Sequence, residues 1–431
     1  SVMPKRRLNL PALLPIALLA GALLTTAGCG TKRPLMTAAK SDAKPVDPWG
    51  KRPVVTPIEQ ASFPGAKRLI AGAGKDAAQP GVNLVVVERQ GSSAVFVKWV
   101  IPGGRRLEFP GGDATRWPEG TVDIMAAMLT EGSRSYRGSK LAAALERHGA
   151  ELSFRVQSDA LVATGRVLSH QLDAWLRLAQ EAMLRPTFEA RPLRNLQTRQ
   201  VARLKTLGTR PRSIAGRVFN RLVYGAHHPY GSPGPTRDSV GQITAKHLRA
   251  AREALVRLGG STLVVVGDVK ADEFAKQLTD VFGDALGTTA PVPKPFPALQ
   301  PAQAGCHMVD VPKAVQSLLL QGNPAPRRGD ATWTRFILAN QVLGGSASSR
   351  LFAELRERRG LTYGVYSSFD GRQHAGDWSV STSVRTAKAV EALVALNKEV
   401  ARMQADAPTV TEIASARRYL IGQFIMAQTS G

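Results

Sequence analysis

The sequence predicts an α+β fold of two homologous domains, each a mixed β-sheet covered by helices. Three observations carry that expectation. Runs that alternate apolar and polar residues, the period of a half-buried strand, are interspersed with runs whose apolar residues recur every three or four positions, the period of an amphipathic helix. The order of these runs in the first part of the chain recurs in the second, as an internal duplication leaves it. A Pro-rich stretch at 289–301 separates the two parts. At 431 residues the chain is long enough for two or three domains.

Residues 1–29 have the form of a targeting segment. Lys5, Arg6 and Arg7 make a positive start, residues 8–26 are an apolar run broken by Pro11 and Pro15, and Thr26-Ala27-Gly28-Cys29 resembles a bacterial lipoprotein box. Small residues before Cys29 let the chain enter a peptidase extended, and the Cys29 thiol then accepts the lipid. The rival is an uncleaved membrane helix, since the run approaches spanning length. Cysteine directly after the small residues favours the lipoprotein, and Gly30, in place of the Asp that would favour inner-membrane retention, favours the outer membrane. Residues 30–80 are rich in Lys, Pro, Ala and Gly without periodicity and read as a tether and lead-in.

The first domain is expected at 81–270. Strand-like runs at 83–88 and 94–100 flank the hairpin signal Gln90-Gly91. A helix at 121–129 has Val122, Met125 and Leu129 in step, and another at 139–148 is closed by Gly149. Strands at 152–156 and 161–163 follow, then a helix at 171–184 with the stripe Leu172, Trp175, Leu176, Ala179 and Met183. Helical patterns at 194–207, 213–224 and 244–257 lead to a buried strand at 262–266. A linker is expected at 271–303.

The second domain, 304–431, repeats the order. A strand at 307–311 and a turn at Pro312-Lys313-Ala314 match the first hairpin. The helix at 332–343 matches 121–129, and the helix at 348–359 matches 139–148, with Gly360 in the place of Gly149 after one inserted residue. A strand at 361–369 sets Tyr363, Val365, Ser367 and Phe369 on one side. Trp378, Val380 and Thr382 mark the next strand, and 387–400 the next helix. Nothing after Gly422 matches 213–268, so this domain is expected to be truncated, with an exposed sheet edge.

The formal net charge is +24. The arginines are scattered through helical patterns, and no nucleic-acid-reading motif accompanies them, which argues against nucleic acid as a partner. Attraction to acidic peptides or anionic lipid is compatible with the charge. There are two cysteines. With Cys29 acylated, Cys306 has no partner for an internal disulfide. Cys306 beside His307 reads as a small residue entering a strand, not as a metal or nucleophilic pair.

The stretch 343–369, L-G-G-S-A-S-S-R-L-F-A-E-L-R-E-R-R-G-L-T-Y-G-V-Y-S-S-F, carries the functional signal. Its order of glycine turn, helix, glycine cap and strand brings Arg356 and Tyr363 towards one cleft. The stretch resembles the C-terminal domain of the insulinase/pitrilysin family of zinc peptidases, the inverzincins. The likeness extends upstream through Val309-Asp310 and Val315-Gln316-Ser317, and downstream to Tyr419-Leu420-Ile421-Gly422. It implies paired halves facing each other across a cavity, with Arg356 and Tyr363 binding substrate backbone and steadying the tetrahedral intermediate.

Active members of that family carry H-x-x-E-H on the first helix, where two histidines hold zinc and the Glu activates water. Here the matching positions are Asp123, Ala126 and Ala127, and the downstream Glu position falls at Arg203. Alanine cannot ligate a metal and arginine repels one. No two of the seven histidines lie four apart, and His227-His228 sits in a loop that the family keeps without using it for metal. No metal site is therefore expected in this chain. The resemblance implies a non-catalytic subunit whose H-x-x-E-H-bearing partner supplies zinc for peptide hydrolysis. The alternative is a catalytically inert binding or scaffolding protein on the same fold.

Overall fold

A computed structural model of the chain describes residues 65–72, 80–109, 116–226, 228–289, 296, 299 and 305–429. Cys29 and His227 lie outside the described residues. Residues 63–431 form one compact unit.

In its first half the alternating runs form one six-stranded sheet. β1 (Lys67–Ala71), β2 (Val82–Glu88) and β3 (Ala94–Pro102) come first. Helices α1 (Thr121–Met128) and α2 (Lys140–Arg147) precede β4 (Glu151–Val156) and β5 (Ala160–Leu168). Then come α3 (Leu172–Leu184), α4 (Ala190–Gly208), α5 (Pro211–Tyr224), the short α6 (Arg237–Gly241) and α7 (Ala245–Leu255). β6 (Thr262–Gly267) and α8 (Ala271–Phe282) complete the half. The strand order is β1-β2-β6-β3-β5-β4, with β2 and β6 parallel and the other neighbours antiparallel.

Alternation decides the faces. Val95, Val97, Trp99 and Ile101 of β3 are buried, whereas Phe96 and Lys98 between them face out. Trp99 meets Phe282 edge-on at 5.1 Å and donates its indole N–H to Ser261 Oγ at 2.7 Å, so a large ring is buried with its one polar atom satisfied. Trp175, from the apolar stripe of α3, donates to the Glu151 carbonyl at 2.9 Å. Its ring lies so close to β5 that a Cβ on Gly165 would approach within 2.1 Å, which makes glycine a packing requirement there.

Two expected boundaries shift. The stretch 271–303, expected as linker, begins with α8, whose Phe274, Leu278, Val281 and Phe282 are buried in the first half. Their spacing is that of a helix with one core-facing stripe. β1 falls in the stretch expected as tether and lead-in, and pairs with β2 along its whole length.

The second half contains β7 (Gln316–Ala325), α9 (Trp333–Leu343) and α10 (Arg350–Phe352), which widens into a π-helical turn at Ala353–Arg358. β8 (Thr362–Gly371), β9 (Gly376–Arg385), α11 (Ala389–Ala405) and α12 (Val410–Thr429) follow. The antiparallel order β7-β9-β8 repeats that of β3, β5 and β4. Leu343, Leu351, Leu355, Val365, Val380 and Leu396 form the local core. Arg350, nearly buried, holds α12 in place: Nε and Nη2 donate to Glu412 at 2.7 and 2.8 Å, and Nη1 to the Asp406 carbonyl at 3.2 Å.

The strand expected at 307–311 is not formed; residues 305–311 have no regular structure, and Met308 is 91% exposed. The first half supplies the reason. β2 does not pair with β3 there but with β6, which lies between them. Among the described residues the second half has no counterpart of β6, the strand that stands between β2 and β3, so 305–311 lacks the partner that β2 has.

The halves meet in a polar and aromatic seam. The Phe219 ring of α5 packs on Gly322 of β7, where a Cβ would come within 2.8 Å of it. Tyr224 donates to Asp377 at 2.5 Å, and Tyr230 to Asp159 at 2.7 Å. The Arg372 guanidinium lies 4.8 Å from both tyrosine ring centroids. Arg106 Nη1 donates to His374 Nε2 at 2.8 Å, which requires that nitrogen to be unprotonated.

Candidate functional site

Two places bear on function: the helix that would carry a metal motif, and the turn that presents Arg356 and Tyr363. The first is α1. Gly120, at φ 93°, turns the chain into it, and Glu108 accepts the backbone N–H groups of Val122 at 2.8 Å and Gly120 at 3.2 Å. Burial pushes the Glu108 carboxyl up to about 7, against the pull of those two donors. Asp123, at the first ligand position, is engaged by Arg105 through Nε and Nη2, both at 2.7 Å. Ala126 is buried and Ala127 half-buried, while Arg203 is exposed on α4. These residues do not fit zinc. One carboxylate is already held by a guanidinium, two positions carry methyl groups, and the fourth carries a cation. Among the described residues no group of three or more His, Cys, Asp or Glu could hold a metal.

The second place is the turn from α10 into β8. The one-residue excess over the first half is absorbed by the π-helical turn Ala353–Arg358. Leu351 and Leu355 stay buried on either side of the change in helical pitch. Gly360, at φ 59°, then closes the helix: its N–H donates to the Arg356 carbonyl at 3.0 Å, and Leu361 N–H to the Leu355 carbonyl at 2.9 Å.

The structure brings Arg356 and Tyr363 into contact. Arg356 Nη1 donates to the Tyr363 carbonyl at 2.8 Å, and the guanidinium carbon lies 4.7 Å from the Tyr363 ring centroid and 5.0 Å from that of Phe352. Arg356 also pairs with Glu357 at 3.4 Å, so it is held between aromatic faces and not loose in solvent.

Tyr363 differs from expectation in one respect. It does not share a side with Val365 and Ser367, which are buried, whereas Tyr363 is 87% exposed. The cause is a break in register. Thr362 faces Val384 and Val365 faces Thr382, so Tyr363 and Gly364 together oppose the single residue Ser383. This is a β-bulge, and it turns Tyr363 out of the sheet.

Residues that sequence reasoning missed surround this turn. Thr362 Oγ1 donates to the Ser383 carbonyl at 2.8 Å and accepts the Gly364 N–H at 3.1 Å. Thr382, 1% exposed, lies 2.8 Å from Thr362 Oγ1 and 3.0 Å from the Gly364 carbonyl, either of which takes its proton. A threonine on each of two neighbouring strands was the available signal. Arg105 and Glu108 were missed as well; the acidic residue before a glycine-led helix was theirs. The other residues weighed from sequence lie elsewhere. His228 is buried in the seam, accepting the Tyr230 N–H at 3.1 Å, and Cys306 is exposed.

Residues 242–420 match the model of the peptidase M16 inactive domain. The chain is 25% identical over 356 residues to an uncharacterized zinc protease of Mycobacterium leprae, covering 80% of this chain and 77% of that one. It is 23% identical over 311 residues to the non-peptidase homologue YmxG of Helicobacter pylori, covering 70% of each. Among solved structures it is similar to the peptidase M16 inactive domain from Pseudomonas fluorescens, with 25% identity, a TM-score of 0.74, and coverage of 83% of this chain and 84% of that one. A protease from Helicobacter pylori shares the fold at 15% identity and a TM-score of 0.73, over 85% of this chain and 86% of that one. The chain is similar along most of its length to proteins of the insulinase-like M16 peptidase family, and over residues 242–420 to the inactive domain of that family; its sequence has no H-x-x-E-H motif.

Proposed function

We propose that this chain is the non-catalytic subunit of an insulinase-like metallopeptidase. It contributes Tyr363 and Arg356 to peptide binding, and to the charge that develops on the attacked carbonyl. A partner of the same family carries H-x-x-E-H, the zinc and the water-activating glutamate. The observation that carries this reading is the Arg356–Tyr363 stack, displayed at 87% exposure of the tyrosine in a chain whose metal positions are Asp123, Ala126, Ala127 and Arg203. An exposed tyrosine held by a cation is a poor use of core volume and a good hydrogen-bond donor to a peptide. Cys29 is the proposed lipid attachment site, which would place the pair in a bacterial envelope, at the outer membrane facing the periplasm.

The test is reconstitution with an H-x-x-E-H-bearing family member encoded beside this chain. Neither protein alone is expected to hydrolyse peptide at the rate of the mixture, and elemental analysis is expected to find zinc only in the partner. One tightly held zinc per copy of this chain contradicts the division of labour. A complex that forms with no gain in hydrolysis favours the inert scaffold. Fatty-acid labelling that survives Cys29→Ala rules out the lipoprotein assignment.

A further inference from the structure

We infer that Thr362 and Thr382 are positioning residues for Tyr363: their hydroxyls hold the two-residue bulge that decides which face of the sheet the tyrosine occupies. Continuing the register of Val365 opposite Thr382 without a bulge would set Gly364 opposite Ser383 and Tyr363 opposite Val384. Val384 is 2% exposed, and Val365 and Thr382 are buried on the same side. Side chains on paired strands share a face, so an unbulged β8 would carry Tyr363 inward. The bulge is therefore a switch of facing, not a local irregularity.

Side-chain hydroxyls bond to the backbone at the break in register. Opposite the bulge, the Ser383 carbonyl takes the Thr362 hydroxyl at 2.8 Å. The Gly364 N–H goes to Thr362 Oγ1 at 3.1 Å, and the Gly364 carbonyl lies 3.0 Å from Thr382 Oγ1. All three polar groups lie where the register breaks. Gly364 fits between them, since a Cβ there would already sit 3.0 Å from the Tyr366 ring. From the other side, Arg356 fixes the Tyr363 carbonyl. The matching edge strand of the first half, β4, runs from Glu151 to Val156 in unbroken register with β5; its hydroxyl pair, Ser153 and Thr164 at 2.8 Å, is directly opposed and bonds side chain to side chain.

The functional consequence rests on the proposal that Tyr363 contacts peptide, but the positioning itself does not. The experiment places 3-fluorotyrosine at position 363 and reads its ¹⁹F resonance in the full chain, with a second label at Tyr136, in the first half, reporting the fold. In Thr382→Val, which keeps the shape and removes the hydroxyl, the Tyr363 resonance is expected to shift and broaden while Tyr136 is unchanged. Thr382→Ser is expected to restore it. Thr362→Val, at a half-buried site, provides the same comparison if Thr382→Val loses the Tyr136 signal. In the reconstituted pair, Thr382→Val is expected to lower kcat by up to about 10²-fold with little change in KM, as small misplacements of a catalytic group do. An unchanged Tyr363 resonance in both valine variants overturns the inference. If the resonance moves as expected but Tyr363→Phe leaves hydrolysis intact, the positioning stands and the catalytic reading of Tyr363 falls.

Discussion

The two halves of the molecule run through the same order of elements and use it differently. In the first, α2 passes through Gly149 into β4 without irregularity, and the sheet is completed by β6 between β2 and β3. In the second, the corresponding turn contains both a π-helical turn and a β-bulge, one carrying Arg356 and the other Tyr363. Regular geometry directs every other side chain of an edge strand to the core. The two irregularities redirect one arginine and one tyrosine towards solvent and against each other. On the helix where the resemblance would place metal ligands, the first half has the Arg105–Asp123 pair and two alanines, whereas the second half displays Tyr363 outwards.

This contrast can be broken in graded ways. The largest structural effect is expected from Arg350→Ala, which removes the link between the second-half core and α12. Arg350 holds the Glu412 carboxyl down to about 2, and losing charge-assisted bonds of this kind costs about 1.5–3 kcal/mol. Chemical denaturation should show that loss, and limited proteolysis should show α12 cut first. The Glu412 contribution is present above the ordinary carboxylate range and disappears as the pH falls towards 2.

The seam is expected to answer to acid. Burial, then Arg372 and His374, hold the His228 imidazole down to about 4. The unfolded chain takes up that proton near pH 6.5, so the stability is complete above that pH and is lost on acidification towards 4, at about 3 kcal/mol for the full shift. His374 acts in the same direction, lowered by burial and by Arg106. Glu108 opposes them, because its raised pKa makes stability fall as the pH rises from about 4.3 to 7. The informative quantity is therefore a difference. Melting temperature should fall less between pH 7 and 4.5 in His228→Gln than in wild type. Equal falls contradict a neutral buried His228.

The smallest effect is expected at α1. Arg105→Ala removes an ion pair that is partly open to solvent, and should cost about 0.2–1 kcal/mol by denaturation. It should create no zinc site, because Ala126, Ala127 and Arg203 remain.

Much of this was legible in the sequence. The repeated order, the core stripe of α3 and the alternation of β3 all follow from side-chain period, which is local. What was not legible depends on distant partners. Residues 307–311 have strand character, but whether they pair depends on a strand like β6, far along the chain. The apolar spacing in α8 was readable, yet the Pro-rich stretch beyond it drew the boundary too early. The facing of Tyr363 turns on a one-residue shift in register, and periodicity cannot locate such a shift when Thr, Tyr, Gly and Val all tolerate strand geometry. The alanines at 126 and 127 could be read directly, but the Arg105–Asp123 pair required the loop before α1 to be placed beside it.

The central claim is that this chain supplies a donor and not a metal. The most direct measurement is peptide hydrolysis by the reconstituted pair carrying Tyr363→Phe, with Arg356→Ala alongside and assembly checked by sedimentation. The phenyl ring keeps the stack on Arg356 and removes only the hydroxyl. Loss of one transition-state donor is expected to lower turnover on the order of 10²–10³-fold with assembly intact. Wild-type turnover in a fully assembled Tyr363→Phe pair would contradict the account and leave the chain a scaffold.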